Sequence, residues 1–134
     1  MIEIESIIAQ IIKHKEDRDI FRDQYPSQIA AKLLEEASEL LQSILEAEIG
    51  GGVTEVAGEL ADVFILLVQL ADECEIDLGQ AAYAKLCRND LKGSMTALNN
   101  GYPDPYKTTS EAYKMMGGDA MFYQIYLLLL AEED

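Results

Sequence analysis

The sequence predicts an all-α chain, an antiparallel helical bundle of about four core helices followed by a C-terminal loop and helix. Three observations carry that expectation. Apolar residues recur at three- and four-residue spacing over long stretches, as a helix with one buried face requires. No stretch alternates apolar and polar residues as a half-buried strand does. Clusters of Gly, Pro and Asn separate the periodic stretches and suit short connections between neighbouring helices. Of the 134 residues, 49% are apolar. That is enough for a real core, so the net charge of −15 does not mark a disordered acidic tail. The length suits one domain over residues 1–134, with a motif-bearing core at 28–92 and a tail at 93–134.

The first helix is expected from Ile2 to about His14, continuing raggedly to Phe21, because Ile4, Ile7, Ile8, Ile11 and Ile12 form one stripe. Tyr25 and Pro26 break it, and Ser27 is positioned to cap a second helix beginning at Gln28. Ile29, Leu33, Ala37, Leu40, Leu41, Ile44 and Leu45 carry that helix to Ile49, where Gly50-Gly51-Gly52 ends it. A third helix is expected from Val53 to about Glu75. The stretch from Asp77 to Gly79 separates it from a fourth, which starts at Leu78 or Gln80 and reaches Leu91. Lys92 to Thr109 contains Gly93, Asn99-Asn100-Gly101, Pro103 and Pro105 and reads as an irregular loop. Beyond it Ser110 can cap a short helix, Gly117-Gly118 interrupts, and Asp119 can cap a last apolar helix to about Ala131.

The acidic balance excludes partners. A nucleic-acid polymer or an anionic membrane would be repelled, and any anionic ligand must arrive with cations. The longest apolar runs, Leu60 to Ala71 and Ala120 to Ala131, fall short of the roughly 20 residues needed to span a bilayer. Glu3 and Glu5 stand where a secretory leader carries basic residues, and Cys74 and Cys87 belong to no Cys-x-x-Cys pair. Reduced thiols and a cytoplasmic location are therefore expected.

The carboxylates carry the chemical information. Glu36 and Glu39 are three residues apart on one helical face, and Glu36 falls within the stripe Ile29, Leu33, Glu36, Leu40. Glu59 and Asp62 repeat the spacing on the third helix. From Leu60 to Ala71 the only polar residues are Asp62 and Gln69, so Asp62 is expected to be enclosed. An enclosed, unpaired carboxylate costs several kcal/mol, on the order of what desolvating an ion requires. Lys32, Lys85 and Arg88 are too few to neutralise the set, whereas a divalent cation does so, and ligands that are all oxygen favour Mg²⁺, Mn²⁺ or Ca²⁺ over zinc or copper. A di-metal carboxylate bundle would need Glu-x-x-His on two helices, and His14 is the sole histidine.

Glu35-Glu36-x-x-Glu39 followed, after residues 40–58, by Glu59-x-x-Asp62 resembles the EExxE…ExxD signature of the MazG-like all-alpha nucleoside triphosphate pyrophosphohydrolases. The flanking text agrees over Lys32 to Ile44 and over Gly58 to Leu78. Ala82 to Asp90 is similar to the family's Lys-x-x-x-Asn stretch, so the likeness covers about Lys32 to Lys92. It implies an enzyme that cleaves a nucleoside triphosphate to the monophosphate and pyrophosphate. By the same resemblance Glu36, Glu39, Glu59 and Asp62 hold Mg²⁺, with Mn²⁺ as a substitute, while Lys85 and Asn89, one helical turn apart, contact phosphate or sugar. Lys32 is able to join them, or to pair with Glu36 one turn on.

No Ser-His-Asp or Cys-His set accompanies these residues, so a metal-activated water suits the inventory better than a covalent nucleophile. Glu36 and Glu39 are the candidate catalytic bases, since the second helix carries one acid, Glu35, beyond the metal set. Tyr102 and Tyr106 are positioned in the expected loop to stack on a base, with Lys107 near phosphate, or simply to anchor the loop. The apolar run from Met121 to Leu130 exceeds what one small domain needs, so a homo-oligomer, dimer or tetramer, is expected. Two alternatives stand beside this reading: a phosphoribosyl-ATP pyrophosphohydrolase-like enzyme, and a non-catalytic, metal-stabilised helical interaction protein.

Overall fold

The computed structural model describes residues 1–98 and 119–132. Its helices are α1 (Ile4–Asp17), α2 (Pro26–Glu48), α3 (Val53–Glu73), α4 (Leu78–Leu98) and α5 (Asp119–Glu132), and no strand occurs among the described residues. The fold is all-α. Two compact units are present, Met1–Ile76 and Asp77–Asp134. The expected short helix at Ser110 and the loop residues from Asn99 to Thr109 lie outside the described residues.

In the first unit α2 and α3 pack as a hairpin and α1 lies against α3. Phe21, Ile29 and Leu66 form the buried centre, with Ile20, Leu33 and Leu70 packed around it. Phe21 reaches that centre because α1 stops at Asp17 rather than running to Phe21: Asp19 and Phe21 take left-handed backbone (φ 52° and 67°), which reverses the chain. Left-handed geometry costs an ordinary side chain about 1–2 kcal/mol, and burying a phenylalanine ring offsets it.

The second helix starts two residues earlier than its sequence suggests. Pro26 occupies its first position, where the missing N–H removes a donor that has no partner anyway. The Tyr25 N–H donates to Gln28 Oε1 at 2.7 Å, so Ser27 sits inside the first turn and is not the cap. At the other end Gly50 adopts φ +106° and the Gly51 N–H donates to the Glu46 carbonyl at 2.9 Å. A Cβ at Gly51 would stand 2.8 Å from that same oxygen, so only glycine closes the turn this tightly.

One ion cluster fastens α1 to α3. Lys15, only 6% exposed, sends Nζ to Asp72 Oδ2 at 2.7 Å and to Glu73 Oε1. Burial alone lowers a lysine's pKa, but the hydrogen bonds to Asp72 and Glu73 outweigh it and hold Lys15 above its ordinary value.

In the second unit Asp77 Oδ1 accepts the Gln80 N–H at 3.0 Å, capping α4, while the Asp77 N–H donates to Tyr126 Oη at 3.1 Å. The fourth helix runs to Leu98 rather than stopping at Leu91. A single glycine inside a helix costs about 1 kcal/mol, too little for Gly93 to end one whose following residues Met95, Ala97 and Leu98 favour the same state. Phe122 stacks on Tyr126 with 6.3 Å between ring centroids, fixing one face of α5. Both cysteines are free thiols. No helix among the described residues is long and apolar enough to cross a membrane.

Candidate metal centre

The centre is built by the α2–α3 hairpin. A four-residue connection turns α3 back along α2, so residues whose numbers sum to about 100 face one another: Glu36 and Glu39 come opposite Glu59 and Asp62. One carboxylate oxygen from each of Glu36, Glu59 and Asp62 lies within 4.8 Å of the other two. Glu39 lines the same opening but its oxygens stand outside this tight group.

The electrostatics of the trio are unfavourable as the chain alone provides them. Glu36 and Glu59 are half-buried, and one oxygen of each, Oε2, is closed to solvent and has no hydrogen-bond partner. Desolvation raises the Glu36 pKa above its ordinary value, and the charges of Glu39, Asp62 and Glu59 raise it further. Glu59 is raised in the same way, by desolvation first and then by Glu39, Asp62 and Glu55. Within the first unit the ion pairs are Lys13–Asp17, Lys15 with Asp72 and Glu73, and Arg22–Asp19, none of which reaches the trio. Lys32 stands over the Phe21 ring at 5.7 Å and forms no ion pair with Glu36, because the ring face competes for the ammonium. Three converging oxygen donors without an internal cation are of the ligand type that Mg²⁺, Mn²⁺ or Ca²⁺ accepts more readily than zinc or copper.

Asp62 is exposed, contrary to the expectation that it is enclosed. The apolar run from Leu60 to Ala71 is buried at Leu66, Val68, Gln69 and Ala71, yet Leu60, Ile65 and Leu67 are exposed. Helices α1 and α2 cover two sides of α3 within this unit and leave a third uncovered. Asp62 therefore opens onto solvent at the mouth of the site, while Glu36 and Glu59 form its floor.

Lys85 and Asn89 both lie exposed on α4 in the second unit. Lys85 Nζ stands 5.4 Å from the Phe122 ring centroid, a cation–π contact that the residue spacing did not reveal. Tyr102 lies outside the described residues. Sequence reasoning also missed Ser43, a buried serine with an unpartnered hydroxyl on the same face of α2 as Glu39. Its position four residues after Glu39 was the available signal.

No family model, curated protein or solved structure matches this chain.

Proposed function

We propose that the chain is a Mg²⁺-dependent nucleoside triphosphate pyrophosphohydrolase, cleaving ribo- or deoxyribonucleoside triphosphates to the monophosphate and pyrophosphate. The observation that carries this reading is the convergence of Glu36, Glu59 and Asp62 within 4.8 Å, with solvent-closed, unpartnered oxygens on two of them. The order and spacing of the Glu35-Glu36-x-x-Glu39 and Glu59-x-x-Asp62 motifs support it.

Glu36, Glu59 and Asp62 would hold the metal, with Glu39 beside them. A bound Mg²⁺ supplies charge neutralisation for the triphosphate and lowers the pKa of a coordinated water. Glu39, exposed and outside the tight trio, is the better placed of the two candidate bases to accept a proton from the attacking water. That water adds to the α-phosphorus as the bond to the bridging oxygen breaks, and pyrophosphate leaves with the electron pair. Lys85 and Asn89 are the proposed contacts to phosphate or sugar, with Lys32 and Tyr102 as further candidates.

A homo-oligomer belongs to the same reading. Leu34 and Leu41 on α2, and Val53, Leu60 and Leu67 on α3, recur at seven-residue spacing and are all exposed, which is the stripe a second copy's helices would cover. Free thiols suit a cytoplasmic location. The same stripe also favours a second reading, a non-catalytic bundle that binds metal and a protein partner.

The deciding experiment is pyrophosphate release from a panel of nucleoside triphosphates and phosphoribosyl-ATP, with Mg²⁺ and with EDTA. Metal-dependent release that Glu59→Gln abolishes and Lys85→Ala weakens supports the enzyme. Release confined to phosphoribosyl-ATP moves the chain to that narrower activity. No release from any nucleotide, while Mg²⁺ still raises the melting temperature, leaves the metal-stabilised binding bundle.

A further inference from the structure

With 25 acidic residues against 10 basic ones, a lysine in this chain has carboxylates to choose from. Of the four lysines whose side chains are described, Lys13 pairs with Asp17, and Lys15 with Asp72 and Glu73. Lys32 and Lys85 go elsewhere. Their Nζ atoms stand over phenylalanine rings, 5.7 Å from the Phe21 centroid and 5.4 Å from that of Phe122. Both distances fall within the roughly 6 Å reach of a cation–π contact. The two lysines proposed to meet the nucleotide are thus the two that the chain keeps on ring faces.

Lys32 has the stronger pull to resist. Glu35 and Glu36 follow it by three and four residues on α2, the spacings at which helical side chains meet. Beyond Glu36 stand Glu59 and Asp62, each with an oxygen within 4.8 Å of one of its own. Even so, the ion pairs of the first unit leave Lys32 out. Phe21 wins because its ring is already fixed. It is 8% exposed and packs with Ile29 and Leu66, and Ile29 lies one turn before Lys32 on the same side of α2. The left-handed backbone at Phe21, φ 67°, delivers the ring to that place. On a ring that the core holds, only Lys32 has to be ordered, whereas a pair with Glu36 orders two flexible side chains. Lysine preceding glutamate is also the weaker orientation of such a pair.

We propose that Phe21 is a positioning residue for the metal centre: its ring holds the Lys32 ammonium away from Glu36 and so keeps the trio open to a divalent ion. The inference rests on the metal-dependent reading of Glu36, Glu59 and Asp62. An ammonium seated on Glu36 would have to leave before an ion entered, and the apparent affinity would fall by the fraction of chains in which Glu36 is free. The ring removes that competition without taking a cation out of reach of an anionic ligand, since Lys32 itself stays exposed.

The test is titration with Mn²⁺ followed by electron paramagnetic resonance, on the full chain and without nucleotide. Phe21→Leu keeps an apolar side chain and loses the ring face; it should weaken Mn²⁺ about fivefold, as a Glu36 free in about one chain in five requires. Adding Lys32→Met to Phe21→Leu should restore the wild-type affinity, which damage to the core would not allow. Without metal, the Lys32 side-chain methylene protons should be shifted upfield by the ring in the wild type, stay there in Glu36→Gln, and return to ordinary positions in Phe21→Leu. An unchanged affinity in Phe21→Leu, or a loss that Lys32→Met does not restore, overturns the positioning role and leaves the metal centre standing. No Mn²⁺ uptake by the wild type overturns both. Far-ultraviolet circular dichroism checks folding. Should Phe21→Leu fail to fold, the methylene protons decide: unshifted in the wild type, or moved by Glu36→Gln, they overturn the proposal.

Discussion

The two ends of α3 carry the same kind of side chain and meet opposite fates. At the C-terminal end Asp72 and Glu73 receive Lys15 from α1, and the chain neutralises them itself. In the N-terminal half Glu59 and Asp62 receive Glu36 from α2, so a third like charge is added where neutralisation is needed. Negative charge at a helix C-terminus opposes the macrodipole, which gives the lysine a reason to be there. Nothing comparable favours three converging carboxylates in the middle of a hairpin. What the facing helix supplies decides whether an acid is neutralised within the chain or left among like charges.

The largest effect expected from breaking this contrast is on the proposed activity. Glu59→Gln should cut pyrophosphate release by about a hundredfold or more, while in EDTA the same variant melts no lower than the wild type, because a source of repulsion has gone. Lys15→Met tests the opposite end. It strands Asp72 and Glu73 and should cost about 2–3 kcal/mol, read as a lower urea midpoint with metal affinity unchanged. A Lys15→Met protein as stable as the wild type would show that the cluster does not hold α1 in place.

Acidity separates the ends in a second way. The folded chain raises Glu36 and Glu59, so the stability tied to their protonated forms is complete below the ordinary value of 4.5 and is lost as pH rises through the raised values. Lys15 is also raised, so its contribution holds below 10.5 and disappears only as pH climbs past its folded value. In EDTA the melting temperature should therefore fall above pH 4.5 by more in the wild type than in Glu36→Gln/Glu59→Gln, and saturating Mg²⁺ should flatten the difference. Equal slopes in the two proteins would remove the electrostatic argument for the site. The smallest effect belongs to Lys32→Met, which loses a contact to Phe21 worth about 0.5–1 kcal/mol and should leave Mn²⁺ affinity within about twofold.

Most of the fold was legible in the chain. Apolar spacing placed α1 and α2, breaker and capping residues bounded the other described helices, Gly50–Gly52 marked the hairpin turn, and the i, i+3 acids pointed to the residues that converge. The errors share a cause, since each depended on what a neighbouring residue or helix does. Pro26 displaced Ser27 as the start of α2. Left-handed Asp19 and Phe21 ended α1 early, and Gly93 proved too weak to stop α4.

By itself the sequence determined the helices, the like-charged pairs and the registers that put them one turn apart, because these follow from local periodicity. Only the tertiary structure decided that Asp62 faces solvent while Glu36 and Glu59 form the floor, that Lys32 goes to Phe21 and Lys15 to Asp72 and Glu73, and that Ser43 keeps an unpartnered hydroxyl. Burial and pairing are properties of the helix that packs opposite, and a single helix's sequence does not contain its neighbour.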